Sequence, residues 1–133
     1  MGSRYAKIKG SNAERELMQI LWDKGLSVAR VAGSGVNPLP CPDVIAMTKG
    51  RVISFECKAH KSKNLNIRKE QVDTLMEWAA RSDTILIFAW KFPHKGWFYL
   101  TPEAFNKTEK AYTINLATAQ EKTLTLESLI ATS

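Results

Sequence analysis

The 133-residue chain has few cysteines and no long apolar run, and each absence excludes classes of protein. Its two cysteines, Cys41 and Cys57, form no CxxC pair, so we expect reduced thiols rather than a disulfide framework or a zinc site. The longest apolar run, residues 85–90, is far shorter than the roughly 20 residues that cross a bilayer. No basic-then-apolar segment typical of a secretory signal opens the sequence. We therefore expect an intracellular protein, located in the cytoplasm or with the nucleoid.

Acidic residues are also missing from one segment, 58–69, which carries five lysines and arginines together with His60. Together with a formal net charge of +6, this segment favours a polyanionic partner, and nucleic acid is the commonest one. Charge alone leaves open the alternative that the basic segments are ordinary solvated surface. A second basic group leads into the first predicted helix and consists of Arg4, Lys7, Lys9 and Arg15.

Composition and hydrophobic periodicity predict one globular α/β domain that spans residues 1–133, with 44% hydrophobic and 24% charged residues. Ser11 followed by Glu14 is a capping-box pattern, so we expect the first helix to begin near Ser11 and to stop near Gly25. The order of elements implies a central mixed five-stranded β-sheet flanked by α-helices. The predicted segments are a strand at 26–31, a loop at 32–42, a hairpin at 42–58, a basic loop after it, a helix at 68–82, strands at 84–91, 96–100 and 112–116, and a helix at 126–131.

The hairpin carries three charged residues that a short turn can bring together. If residues 49 and 50 form a two-residue turn, cross-strand partners have numbers that sum to 99, as 48 and 51 do. Asp43 then lies opposite Glu56 on one sheet face, and Lys58 shares that face because side chains alternate along a strand. The alternate residues Ile53, Phe55 and Cys57 are expected to point to the core.

Two opposed carboxylates repel each other unless a positive charge lies between them. Lys58 supplies one such charge, and a divalent cation supplies more. Hard carboxylate oxygens suit Mg²⁺, and we expect Mn²⁺ to substitute for it. A three-residue loop would instead shift the pairing by one, place Asp43 opposite Phe55, and leave strand-end charges with no joint role. The metal site therefore depends on the register.

Two blocks of the sequence resemble a known group of nucleases. Pro42-Asp43 and Glu56-Cys57-Lys58 match the PD-(D/E)xK motif. The block KGSNAERELMQILWDKGLSVARVAGSG, residues 9–35, is more specific and resembles the N-terminal block of archaeal-type Holliday junction resolvases. The approach NPLPCPD and the EQ pair of the second helix fit the same family. The similarity covers roughly residues 9–100 and implies a single nuclease domain with a restriction-endonuclease-like fold.

The resemblance also implies roles for residues that spacing does not assign. It makes Glu14 a third carboxylate of the metal site, whereas the residues alone favour a cap with Ser11. It adds the backbone carbonyl of Cys57 as a ligand and a serine, Ser34, for cleavage. The candidate catalytic residues are Glu14, Ser34, Asp43, Glu56 and Lys58; the candidate metal ligands are Glu14, Asp43, Glu56 and the Cys57 carbonyl; and the candidate DNA-binding residues are Lys9, Arg15, Arg30, His60, Lys61, Lys63 and Arg68.

The function that the resemblance implies is that of a homodimeric endonuclease of DNA recombination and repair. Such an enzyme resolves four-way DNA junctions by paired, Mg²⁺-dependent phosphodiester hydrolysis that leaves 5′-phosphate and 3′-hydroxyl ends. Two alternatives are another PD-(D/E)xK nuclease, of restriction or repair type, that cuts linear duplex, and a non-catalytic nucleic-acid-binding protein with the same fold. His60 and His94 are better explained as surface or phosphate contacts than as general bases. Interface candidates, some of which the core also suits, are Trp78, Trp90, Phe92, Trp97 and Phe98.

Overall fold

The computed structural model describes residues 4–31, 38–59 and 61–131, with the backbone alone for residues 4–9. None of the helices in these ranges is long and apolar enough to cross a membrane. Along the chain, the elements are α1 (Arg4–Asp23), β1 (Ser27–Arg30), β2 (Val44–Thr48), β3 (Arg51–Ala59), β4 (Asn64–Arg68), α2 (Lys69–Ser82), β5 (Ile85–Phe92), β6 (Gly96–Leu100), a 3-10 turn (Pro102–Ala104), β7 (Asn106–Lys107), β8 (Ala111–Asn115), α3 (Leu116–Lys122) and α4 (Leu126–Ala131).

Five strands form the main sheet in the order β1-β2-β3-β5-β6. Only the β3–β5 pair of this sheet is parallel, and the other three pairs are antiparallel. The parallel pair requires a crossover, which β4 and α2 provide. The predicted mixed five-stranded sheet with flanking helices is therefore confirmed.

The main sheet has a hydrophobic core on each face, which explains the continuous apolar sequence of β5. Ile87 and Ala89 lie on the face that α1 and α4 cover. Phe88 and Trp90 lie on the opposite face, which α2 and a smaller sheet, β4-β8-β7, cover. The central strand β5 is consequently covered by a hydrophobic core on both faces.

Helix α1 begins at Arg4, so the prediction that it begins near Ser11 is wrong. The Ser11 and Glu14 side chains do not close a helix cap; both accept hydrogen bonds from Arg30 of β1, at 3.1 Å and 2.7 Å. The predicted stop is confirmed, because Gly25 has φ +94° and the helix ends two residues before it. Helix α1 is thereby tied to the edge strand of the sheet.

The prediction that the basic segment after the hairpin is a loop is wrong in part, because residues 64–68 form β4. Leu65 and Ile67 alternate with exposed polar residues, and this strand pairs with β8 some fifty positions later in the chain. Two apolar residues give too short a pattern to predict a strand, and the partner that stabilises it is remote. The predicted strand at 112–116 corresponds to β8, and helix α3 was not predicted.

Two of the five aromatic residues proposed for an interface are buried in the core. Trp90 and Phe98 are only 0% and 7% exposed, because the face of β5 and β6 that carries them is covered by α2 and the smaller sheet. Phe92 and Trp97 are half-buried against the same two cores. Trp90 and Phe98 are therefore unavailable to a second chain, which corrects that part of the prediction.

Candidate active site

The hairpin has the register that the two-residue turn predicts. Gly50 takes φ +72°, and the pairs run from Thr48↔Arg51 to Val44↔Phe55. Ile53 and Phe55 are buried in the core under α1. The alternate residues of β3 therefore point to the opposite face, toward α2.

Asp43 lies just before the first residue of β2 and outside the regular ladder, and its carboxylate contacts β3. Its N–H donates to the Phe55 carbonyl at 3.1 Å, although Val44 is the ladder partner of Phe55. Its Oδ2 accepts a hydrogen bond from the Cys57 N–H at 2.8 Å. The carboxylate is 8% exposed and is held beside the residue between Glu56 and Lys58.

Glu56 is the most enclosed charged group of the site, with 6% of its surface exposed. Its Oε2 accepts a hydrogen bond from Gln71 Nε2 of α2 at 2.8 Å and lies 3.8 Å from Lys58 Nζ. Its Oε1 is buried and has no hydrogen-bond partner among the described residues. The structure thus brings Glu56 and Lys58 together on one face, and one oxygen of the Glu56 carboxylate has no hydrogen-bond partner in the described part of the chain.

The pKa of Glu56 is raised to about 8, mainly by burial and also by the charge of Asp43 and the hydrogen bond with it. Lys58 and the hydrogen bond from Gln71 act in the opposite direction but do not offset burial. The metal-free pair therefore holds a proton at neutral pH. A bound cation would replace that proton, because two carboxylates this close cannot both carry a charge without one.

Glu14 lies near this pair but is engaged elsewhere. Its Oε1 accepts from Arg30 Nε at 2.7 Å, in an ion pair whose side chains are both largely buried. Burial raises its pKa, Arg30 lowers it, and the charge of Asp43 raises it, so the two carboxylates sense each other. Within the described ranges, no three acidic, histidine or cysteine side chains are arranged to hold a metal ion. A three-carboxylate site stays a prediction.

A cavity of about 410 Å³ opens beside the carboxylate pair, between the segment that precedes β2 and the first turns of α2. Cys41 is half-buried there, and burial together with the charges of Asp43 and Glu56 raises the pKa of its thiol. In the metal-free protein this thiol therefore ionises less readily than an ordinary cysteine, which makes it a poor nucleophile. The lining residues are Pro38, Leu39, Pro40, Cys41, Asp43, Glu56, Arg68, Glu70, Gln71, Thr74 and Leu75.

The remaining predicted residues are placed as follows. Arg68 is exposed and lines the cavity, so a basic group does lie beside the carboxylates. Arg15, Lys61 and Lys63 are exposed to solvent, whereas Arg30 is occupied by Glu14. Ser34, His60 and the side chain of Lys9 lie outside the described residues.

Sequence reasoning assigned no role to Gln71 or Cys41, and both line the cavity beside Glu56. The EQ pair fits the pattern of the resolvase family, but the pattern does not indicate what Gln71 contacts. The hydrogen bond from Gln71 to Glu56 joins α2 to β3, and the hydrophobic periodicity of α2 does not reveal this contact. Cys41 directly precedes the Pro42-Asp43 dipeptide, and this position in the sequence indicates that it lies near the site.

A mixed five-stranded sheet whose adjacent strands present an aspartate, a glutamate and a lysine defines the restriction-endonuclease-like, PD-(D/E)xK class of nuclease folds. The family described as archaeal Holliday junction resolvase (hjc) matches residues 5–133. The chain belongs to this family.

Relatives in sequence and in structure agree with that assignment. Crossover junction endodeoxyribonuclease Hjc of Archaeoglobus fulgidus is 35% identical over 109 residues, 82% of this chain and 80% of the relative. Hjc of Sulfurisphaera tokodaii is 35% identical over 127 residues, 93% of this chain and 87% of the relative. The solved structure of the A. fulgidus Hjc, a Holliday junction resolvase, has a TM-score of 0.79 at 26% identity and covers 88% of this chain and 99% of that one. A bacterial homing endonuclease shares the fold alone, with a TM-score of 0.51 at 15% identity over 86% and 77% of the two chains.

Proposed function

We propose that this protein is an endonuclease that resolves four-way DNA junctions in recombination and repair, using a divalent metal ion. The observation that carries the proposal is the buried Asp43–Glu56 pair with Lys58 Nζ 3.8 Å from a Glu56 oxygen. A structural protein gains nothing from a buried pair of like charges, because the arrangement destabilises the fold in the absence of a ligand. Membership of the resolvase family gives the site its substrate class.

The residues present fit a divalent cation. Oε1 of Glu56 is a buried acceptor that has no hydrogen-bond partner in the described part of the chain, and the adjacent Asp43 supplies a second hard oxygen donor. The two carboxylates are hard oxygen donors, which favour Mg²⁺ or Mn²⁺ over softer metal ions. Mg²⁺ is the expected ion and Mn²⁺ a substitute. When bound, such an ion stabilises charge on the phosphate and lowers the pKa of a coordinated water.

The chain's own residues position the reacting groups. Asp43 and Glu56 hold the cation, and the Cys57 N–H fixes the Asp43 carboxylate. Lys58 orients the attacking water and offsets the charge that develops on the phosphate. In this proposal Glu14 becomes a further ligand once it leaves Arg30, and Ser34 and the Cys57 carbonyl complete the site.

Binding of DNA is assigned to the basic residues around the cavity. Arg68 lies at the cavity itself, and Lys61 and Lys63 extend the basic surface along the chain segment that follows β3. A net charge of +6 supports contacts to phosphates, which position a protein on DNA without reading its sequence. The other proposed contacts are Lys9, Arg15, Arg30 and His60.

Two further parts of the proposal are a homodimer and an intracellular location. Symmetric cutting of two strands calls for two active sites related by a two-fold axis. Trp78, Phe92 and Trp97 remain partly exposed and are the aromatic residues available to such an interface. Sedimentation of the protein with and without junction DNA measures the number of chains, and a monomer in both states would contradict the dimer.

The site is tested by separating cleavage from binding. Asp43→Asn and Glu56→Gln keep side-chain size and remove charge, so we expect loss of Mg²⁺-dependent junction cleavage with junction binding retained. Glu70→Gln is the matched control, because Glu70 lines the same cavity but is exposed to solvent. Cleavage is followed on a labelled four-way junction, and binding by gel shift in EDTA. Wild-type cleavage rates in both site variants would overturn the proposed site.

A further inference from the structure

The two oxygens of the Glu56 carboxylate have different surroundings. Oε2 accepts a hydrogen bond from Gln71 Nε2 at 2.8 Å, whereas Oε1 is buried without a hydrogen-bond partner among the described residues. Lys58 Nζ is 3.8 Å from Oε2, which is too long for a hydrogen bond. Gln71 therefore supplies a directional contact to Oε2 from α2, in addition to the hydrogen bond between the Glu56 and Asp43 carboxyl groups.

Gln71 is itself held in place by the packing of α2. Its neighbour Val72 and the residue one turn later, Leu75, are buried in the core under the main sheet. The start of the helix is joined to the smaller sheet by a hydrogen bond from the Lys69 N–H to the Lys110 carbonyl at 2.9 Å. The amide nitrogen of Gln71 faces Glu56, which is the orientation that an ionised, metal-binding carboxylate requires. The donor is thus preorganised.

We propose that Gln71 is a positioning residue that binds Oε2 of Glu56 and thereby presents Oε1 to the divalent cation. This inference rests on the proposed function and extends its site onto α2. Metal-ligating carboxylates are commonly oriented by a hydrogen bond to the oxygen that does not bind the metal. A neutral amide suits this task, since a lysine would repel the cation and a glutamate would add a third negative charge.

The first test measures Mn²⁺ binding to the protein alone, by calorimetry, without DNA. Gln71→Met keeps the length of the side chain and removes the donor, and we expect Mn²⁺ to bind about 10–100-fold more weakly. Gln71→Ala is a second variant that α2 tolerates, and it should show a similar loss. Thr74→Ala is the control, because Thr74 lines the same cavity one turn further along α2, and its binding should match wild type. Melting curves verify that all variants are folded.

A double variant shows whether Gln71 acts through Glu56. In the Glu56→Gln protein, adding Gln71→Met should weaken Mn²⁺ binding by much less than it does in wild type. Wild-type Mn²⁺ affinity in both Gln71 variants would overturn the inference and leave the proposed metal site intact. Failure of wild type to bind Mn²⁺, or unchanged binding in Glu56→Gln, would overturn the metal site and this inference together.

A crystal of the wild-type protein soaked with Mn²⁺ gives an answer that needs no variant. The anomalous signal should lie beside Oε1 of Glu56, with Gln71 Nε2 still within hydrogen-bond distance of Oε2. An ion bound to Oε2, with Gln71 displaced, would refute the assignment of the two oxygens.

Discussion

Replacing Glu56 by glutamine is expected to stabilise the metal-free protein at alkaline pH, although it removes a proposed metal ligand. Burial and the charge of Asp43 raise the pKa of Glu56 from 4.5 to about 8. Between these pH values the folded protein binds more protons than the unfolded chain, so stability falls as the pH rises through the interval. Below about pH 4.5 the carboxyl is protonated in both states, and the contribution is fully present. Glutamine carries no charge at any pH and escapes this loss.

The size of the effect follows from the same shift. The difference between 4.5 and about 8, at about 1.4 kcal/mol per pH unit, sets an upper limit of about 5 kcal/mol above pH 8. Relaxation and water entry reduce the penalty of a buried charge, so we expect about 1–3 kcal/mol. Since 1 kcal/mol corresponds to about 4 °C for a domain of this size, the variant should melt about 4–12 °C higher.

The assay is thermal or urea unfolding of wild type and Glu56→Gln in EDTA, at a series of pH values from about 4.5 to about 9. The two proteins should have similar stability at the acidic end and diverge steadily toward the alkaline end. Saturating Mg²⁺ should narrow the gap by stabilising wild type. A constant difference at every pH, or a less stable variant at alkaline pH, would refute the reasoning.

Three further predictions concern other parts of the fold and the DNA surface. Arg30→Met leaves the half-buried Glu14 carboxylate without its guanidinium partner, so we expect the free energy of unfolding, measured in urea, to fall by about 1–2 kcal/mol. An unchanged free energy of unfolding would contradict a stabilising ion pair. Gly50→Ala should lower stability by about 1 kcal/mol through backbone strain alone, because φ is +72° and the added methyl group meets no atom; a higher melting temperature would argue against the turn. Lys61→Ala and Lys63→Ala should each make the negative slope of log K for junction binding against log salt concentration shallower by about 1, whereas unchanged slopes would remove these residues from the DNA surface.

Local rules predicted the hairpin because everything that decides its register is near in sequence. Gly50 fixes the turn type, and the turn type fixes which residues face each other. The departure of Asp43 from the ladder was not predictable, since it depends on hydrogen bonds to Cys57 and to the strand that precedes the hairpin. Register alone therefore predicted which charged residues of the hairpin come together, but not the final position of Asp43.

The failures have a common physical cause in contacts between segments that are distant along the chain. The Ser11–Glu14 pattern is a local helix-start signal, yet both side chains bind Arg30 instead, and α1 begins earlier. Strand β4 depends on its pairing with β8, and the hydrogen bond from Gln71 to Glu56 joins α2 to β3, from which it is separated along the chain by β4. Tertiary contacts of this kind override local propensity and cannot be read from a short window.

The measurement that most directly tests the account compares cleavage of a four-way junction with cleavage of linear duplexes made from its own arms, in Mg²⁺, at equal concentrations. A junction resolvase with the Asp43–Glu56–Lys58 site should cut the junction at paired, symmetric positions and leave the duplexes intact. Equal cutting of both substrates would contradict junction resolution and would indicate a nuclease of linear duplex.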